Sequence, residues 1–328
     1  MNWRDAPKVE LHLHLEGAAP PTFIQGLAEE QGIDLRGVVD RDGYRWNGFA
    51  GFLRCYEAAT SVLRGPREFG RLTAAVLEDL ERQGAVYAEV FLSPAFCGGG
   101  DLAAWREHLA AMEEAAHASP VEMRGIVTCI RHEGPEAAKR SALCAAETGD
   151  GSGSGFVTGF GMGGDERVGR QQDFAWSFDC AREAGLGLTT HAGEWRGAEE
   201  VRDALALGVS RIGHGIRAAE DPALTETLAE RGTVLEVCPG SNVVLGASGP
   251  LEGHPIERLR AAGVPVTVST DDPPFFGTTL TKEWEGLERA FGWDEGDLRA
   301  LNEVALRAAF CDEVTKDAIR KRLSEWTT

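Results

Sequence analysis

No run of 18 consecutive apolar residues occurs in the 328-residue chain, so no helix long enough to cross a bilayer is expected. The opening MNWRDAPKVELHLHLEG holds no apolar core flanked by positive charge, and a secretory leader is not expected either. Positive charge is in short supply: 33 Lys+Arg face 52 Asp+Glu, a formal net charge of −19. That balance excludes a general affinity for nucleic acid or an anionic membrane surface, and it suits a neutral or cationic small molecule. The seven cysteines are scattered and form no CxxC pair, which speaks against a disulfide framework and against a four-thiolate zinc site. Free thiols buried in a reducing, cytoplasmic protein are the expectation. Also missing is a GxGxxG after the first β-rich run, the fingerprint of a dinucleotide-binding open sheet.

At 43% hydrophobic and 26% charged residues the chain can bury a large core. Short runs rich in Val, Ile, Leu, Thr or Phe, bounded by Gly, Pro or polar residues, predict strands over 9–15, 86–92, 123–130, 155–160, 187–191, 211–213, 233–237 and 265–269. Helical spacing fills 102–118, 170–184, 198–207, 223–230 and 255–262, and several of these segments stop at a glycine such as Gly185, Gly208, Gly232 or Gly263. Eight strands alternating with helices predict a (β/α)₈ TIM barrel, read here as a single domain over 1–328. Residues 20–82 exceed the minimal connection and predict a helical insertion over the C-terminal mouth. Phe49, Phe52, Leu53, Tyr56 and Leu63 would supply either a lid face or the insert's own core. The Gly149–Gly155 stretch reads as a flexible surface link, with no Lys after it to make a phosphate cradle.

The chemistry gathers at strand ends. His12 and His14 are two apart on the first strand and share one face. His191 closes the fifth strand and His214 the sixth, while Asp271 and Asp272 close the eighth. Polar residues at the C-terminal ends of several strands are what a barrel active site requires, and three imidazoles with one carboxylate leave a position for water on a zinc-like ion. The five lysines (Lys8, Lys139, Lys282, Lys316 and Lys321) all lie away from the fourth strand's end, where a bridging lysine would serve a second metal. One ion is expected. Glu194, three residues past His191, is a candidate general acid, because a carboxyl kept from solvent beside a metal site stays protonated. His132 could reach the mouth; His108, His117 and His254 read as structural.

Five segments resemble, in order, the adenosine and adenine deaminase group of the metal-dependent amidohydrolases. They are Lys8-Val-Glu-Leu-His-Leu-His-Leu-Glu-Gly17, Thr190-His-Ala-Gly-Glu194, Arg211-Ile-Gly-His-Gly215, Cys238-Pro-Gly-Ser-Asn242 and Ser269-Thr-Asp-Asp-Pro273. The resemblance implies that His12, His14, His191 and Asp271 hold one zinc ion, with Asp271 also serving catalysis. It implies that Glu194 protonates purine N1 and that His214 orients the attacking hydroxide. It sets Asp272 on the N7 side, the Gly164 amide on the N3 side, and His14 and Glu16 against the substrate. Hydroxide would attack C6 and ammonia would leave. The nucleic-acid-type zinc deaminases use HxE with PCxxC, a pattern absent here.

Two departures bear on the substrate. Glu16 stands where many nucleoside deaminases of the group carry Asp against the ribose 5′-hydroxyl, as it does in the free-base enzymes. Gly163-Gly164-Asp165-Glu166 looks more like the nucleoside enzymes, although Gly161 replaces their usual acid. The resemblance therefore implies hydrolysis of adenosine and 2′-deoxyadenosine to the 6-oxopurine nucleoside plus ammonia. The alternative is adenine, or an N6-substituted or 5′-modified adenine derivative.

Overall fold

The computed structural model describes residues 2–326, and within it each β-rich run becomes a strand. In chain order the strands are β1 (Lys8–His14), β2 (Val39–Asp40), β3 (Gly43–Tyr44), β4 (Ala85–Leu92), β5 (Glu122–Ile130), β6 (Val157–Gly163), β7 (Gly187–Ala192), β8 (Arg211–His214), β9 (Val234–Val237) and β10 (Val266–Val268). β2 and β3 make a small antiparallel hairpin, too short to announce itself in the sequence. The other eight form one parallel sheet in the order β1-β4-β5-β6-β7-β8-β9-β10. Its two edges meet just beyond β10, where the Asp271 amide donates to the His12 carbonyl at 3.0 Å and the His14 amide donates to the Asp271 carbonyl at 3.0 Å. Helices separate the strands, and the result is a (β/α)₈ barrel. Strands covered on both faces read as continuous apolar runs, as β4 does with all eight residues buried. Six helices begin with proline at the first turn, at Pro21, Pro66, Pro135, Pro222, Pro239 and Pro273, where no amide partner is lost.

β6 runs three residues past its expected end at 160, because alternate positions 159, 161 and 163 are glycines crowded by neighbouring side chains. A Cβ at Gly159 would lie 2.7 Å from Ile126 Cδ1, and one at Gly163 would lie 3.2 Å from His191 Cε1 and 3.3 Å from His14 Cε1. Lower in the barrel a buried ionic cluster replaces apolar filling. Arg211 pairs with Glu89 at 2.5 Å and with Glu236 at 2.6 Å, and its guanidinium stacks 3.6 Å from the ring centroid of Phe310. Buried charges persist only when paired in this way.

Residues 20–82 hold three helices. Pro66–Arg82 packs against Leu102–His117 on the barrel wall. Gly48–Thr60 packs with the β2–β3 hairpin on the short helix Pro273–Phe276, which follows β10. Phe52 lies 5.5 Å from Phe275 and 5.2 Å from Phe276 between ring centroids, Tyr44 stacks on Phe275 at 3.7 Å, and Trp46 Nε1 donates to the Phe275 carbonyl at 3.1 Å.

Candidate active site

Alternation along β1 turns His12 and His14 to one side of the strand, and the seam brings Asp271 beside them. His14 Nε2 lies 3.2 Å from His191 Nε2 and 3.3 Å from Asp271 Oδ1, and His12 Nε2 lies 3.5 Å from the same oxygen. Ligands about 2.1 Å from a tetrahedral zinc ion sit about 3.4 Å from one another, so these separations suit such an ion. The buried Nε2 of His12 has no protein partner. The four residues therefore fit a metal, and they are the set the sequence nominates.

The supports of this cluster are as specific as its members. His12 Nδ1 bonds Glu236 Oε2 at 2.8 Å, which aims Nε2 at the cluster. Glu236 also accepts from Thr189 Oγ1 at 3.0 Å. Burial works against a charge on His12, but the Asp271 and Glu236 carboxylates outweigh it and hold the ring up at about 9. Burial pulls His14 and His191 down instead, His191 further because imidazoles surround it. Against its own burial, Asp271 is held well below the usual carboxylate range by His12 and His14, and it accepts from Ser241 Oγ at 2.6 Å. Among the described residues only His214 (φ 60°) and Asp271 (φ 68°) are non-glycines with left-handed backbone, and both are at this site.

Glu194 sits on the loop leaving β7, and one carboxylate organises that loop. Glu166 accepts from the amides of Gly193, Glu194 (3.1 Å), Trp195 (2.6 Å) and Arg196 (3.2 Å). The Glu194 carboxyl is buried, its Oε1 unpartnered and its Oε2 4.0 Å from His214 Nε2. Burial first, then the negative charges of Asp271 and Glu166, push its pKa well above the ordinary range, which favours the protonated carboxyl. His214 Nε2 also lies 4.0 Å from Asp271 Oδ2, and burial pushes this ring down to about 3.

Asp272 stands over Gly17, where a Cβ would fall 1.6 Å from Asp272 Oδ1; only glycine leaves room for it. Burial and the carboxylates of Asp271, Glu194 and Glu16 push Asp272 well up, and its Oδ1 has no partner. Glu16 is buried and raised by that burial to about 7; Tyr56 donates to its Oε2 at 3.4 Å, and its Oε1 is unpartnered. A cavity opens beside these groups, lined by His14, Asp272, Gly163 and Gly164 below and by Phe52, Leu53, Tyr56 and Phe96 above. Gly164 (φ 99°) lies where a side chain would meet His132 Nδ1 at 2.8 Å.

Of the other histidines, His132 lines the cavity and accepts from the Asp165 amide at 3.2 Å, while His108 is bonded to the Ala104 carbonyl within its helix and packs on Phe69. His254 lies just before the helix Ile256–Ala261. It is buried and bonded to Asn242, which in turn contacts His214. Glu236, Ser241, Asn242 and the clamp role of Glu166 were not legible in the sequence. Ser241 and Asn242 at least stand in a segment the resemblance had marked. Cys238 also lies near His214 and Asp271, but burial pushes its thiol well above the ordinary range, which makes it a poor ligand.

Known proteins resemble this chain over nearly its whole length. The adenosine deaminase family model matches residues 7–326. An adenine deaminase of Rhizobium leguminosarum bv. trifolii (strain WSM2304) is 46% identical over 320 residues, covering 96% of this chain and 98% of that protein. The crystal structure of adenine deaminase from Arthrobacter aurescens superposes with a TM-score of 0.88 at 29% identity, covering 98% of this chain and 99% of that one. An amidohydrolase from Burkholderia ambifaria, solved with bound Zn, superposes with a TM-score of 0.86 at 27% identity, covering 98% and 90%.

Proposed function

The chain belongs to the adenosine deaminase family and is a hydrolytic deaminase acting on C–N bonds, and we propose that its substrate is adenine as the free base, deaminated at C6 to the 6-oxopurine with release of ammonia. The observation that carries the choice of base over nucleoside is near-full-length similarity to proteins named adenine deaminase. The pocket supports it physically. Glu16, which stands where nucleoside enzymes carry the Asp that meets the ribose hydroxyl and where free-base enzymes carry Glu, is buried and accepts from Tyr56 with one oxygen. This reading replaces adenosine, the substrate favoured by the glycine–acid segment at 163–166.

His12, His14, His191 and Asp271 would hold one zinc ion, as their separations and the Zn-bound relative suggest. An ion held there would supply Lewis-acid activation of water as the nucleophile. The protein's own groups do the rest. Protonated Glu194 donates its proton to purine N1, drawing electron density from C6 as the attack proceeds. His214, 4.0 Å from both Glu194 and Asp271, stabilises the charge that develops between them. Asp272, whose pKa burial pushes well up, is set to donate to N7, and the Gly164 amide to meet N3. Residues 20–82 supply the lid: Phe52, Leu53 and Tyr56 cover the cavity and exclude bulk water. A cytoplasmic enzyme working on a small purine, without nucleic acid or membrane partners, fits the −19 charge.

Ammonia release from zinc-loaded protein, measured against adenine, N6-methyladenine, adenosine, 2′-deoxyadenosine and a 5′-modified adenosine, tests the reading. Turnover of adenine far above the nucleosides is expected. Turnover of the nucleosides alone would overturn it.

A further inference from the structure

A chain of three buried side chains leads from a backbone amide to His214. The Ile256 amide donates to His254 Nδ1 at 3.2 Å, His254 Nε2 lies 3.3 Å from Asn242 Oδ1, and Asn242 Nδ2 lies 3.1 Å from His214 Nδ1. His254, Asn242 and His214 are 2%, 0% and 1% exposed, so water cannot substitute for any link.

The protons along this chain can be counted. A backbone N–H is always a donor, so the Nδ1 of His254 that receives it is bare. The remaining nitrogen, Nε2, must carry the ring proton, and it donates to Asn242 Oδ1. That bond fixes which end of the Asn242 amide faces His214: the NH₂ does, and it donates to His214 Nδ1. His214 therefore has a bare Nδ1 and keeps its proton on Nε2, the nitrogen 4.0 Å from Glu194 Oε2 and from Asp271 Oδ2. Burial lowers His254 to about 4, consistent with a neutral ring throughout the working range.

We propose that Asn242 and His254 are positioning residues that lock His214 in its neutral Nε2–H form, so that this side chain enters the reaction as a hydrogen-bond donor and not as a base. The locking signal originates in the Ile256 amide, one of the orphan donors at the start of the helix Ile256–Ala261. With Nδ1 occupied as an acceptor, the ring cannot move its proton to that nitrogen and free Nε2 to accept another. A base at this position would compete with Glu194 for the same proton; a fixed donor cannot. The same short helix, Pro239–Leu245, also carries Ser241, which orients Asp271, so two consecutive residues set a ligand carboxylate and the neighbouring imidazole.

The inference rests on the proposed deaminase site, but its primary readout needs no turnover. Long-range ¹⁵N–¹H correlation on the zinc-loaded, ¹⁵N-histidine-labelled protein reads which nitrogen of His214 is protonated. Wild-type protein is expected to show a protonated Nε2 and a bare Nδ1. Asn242→Asp places acceptors against Nδ1 and is expected to move the proton there, with kcat on adenine falling by about 100-fold while zinc content stays the same. His254→Leu removes the lock, and His254→Gln, whose amide N–H still reaches Asn242 Oδ1, is expected to recover most of what His254→Leu loses. A merely structural role would lower the melting temperature of these variants and leave the tautomer of the folded protein untouched. A wild-type His214 protonated at Nδ1, or an Asn242→Asp protein that keeps Nε2–H, overturns the proposal. Failure to turn over adenine with the tautomer as expected overturns the substrate reading alone.

Discussion

Asp271 is tied to His12 twice: its amide donates to the His12 carbonyl at 3.0 Å, and its carboxylate lies 3.5 Å from the His12 imidazole. The backbone bond is part of the seam that closes the barrel, and the side chains belong to the set that fits a metal. Closure of the sheet and assembly of the site are one event, enforced by left-handed backbone at Asp271 (φ 68°).

Metal removal should therefore weaken the fold as well as stop the reaction. A ligand bound only to the folded state at about 1,000 times its Kd contributes about 4 kcal/mol. A chelator is expected to abolish ammonia release, lower the melting temperature, and speed amide exchange first at residues 12–14 and 269–271. Metal analysis should find one zinc equivalent per chain, and two would contradict the absence of a bridging lysine.

Replacing Glu194 with Gln keeps its shape and removes the transferable proton. Zinc content is expected to be unchanged and kcat to drop by at least about 100-fold, the range for loss of a general acid. A variant with kcat near wild type would remove Glu194 from the mechanism.

The pH dependence follows from the same carboxyl. Its pKa is raised by burial and by the charges of Asp271 and Glu166, so the protonated form, the one proposed to act, is lost as pH rises through the shifted value. Activity should fall on the alkaline side as Glu194 ionises. Glu166→Gln removes one of the charges holding it up, so this limb should move to lower pH. The substitution also unsettles four amide bonds, and urea unfolding should register a loss of about 1–3 kcal/mol.

The helix Gly48–Thr60, the proposed lid, meets the loop that carries Glu194 through an aromatic contact. Phe49 lies 5.0 Å from Trp195, the residue after Glu194, and the Arg167 guanidinium stands 5.0 Å above the Phe49 ring. Phe49→Ala is expected to raise KM for adenine several-fold with a smaller change in kcat. An unchanged KM would mean that the helix Gly48–Thr60 stays closed without this contact.

Much of this was legible because a barrel writes its chemistry at strand ends. His12 and His14 could be placed from alternation alone, and His191, His214 and Asp271 from the β-rich runs they terminate. Supports drawn from within elements were not. Glu236 lies inside the short run Val234–Val237, and nothing in the sequence singles it out before Arg211, Thr189 and His12 converge on it. The end of β6 was missed because alternate glycines look like a loop when the imidazoles that need their space are not in view. His254 read as structural because the link to His214 passes through Asn242, 12 residues upstream of it. The substrate was hardest, since Glu16 takes its meaning from Tyr56, 40 residues away on the lid helix.

The floor of the barrel arrives late. Phe310 fills the space that side chains would otherwise take at Gly159 and Gly187, and its amide is bonded to Glu89 at 2.5 Å. Synthesis delivers the N-terminal strands first, so a nascent chain emerging from the ribosome has all eight staves before it has the plug that seats between two of them. Until residue 310 is free, β6 and β7 face a hollow, and the Arg211 guanidinium lacks the ring it stacks on. The eight strands are thus complete in the chain before the ring that seats between two of them, and closing the floor falls to a segment that follows the last strand.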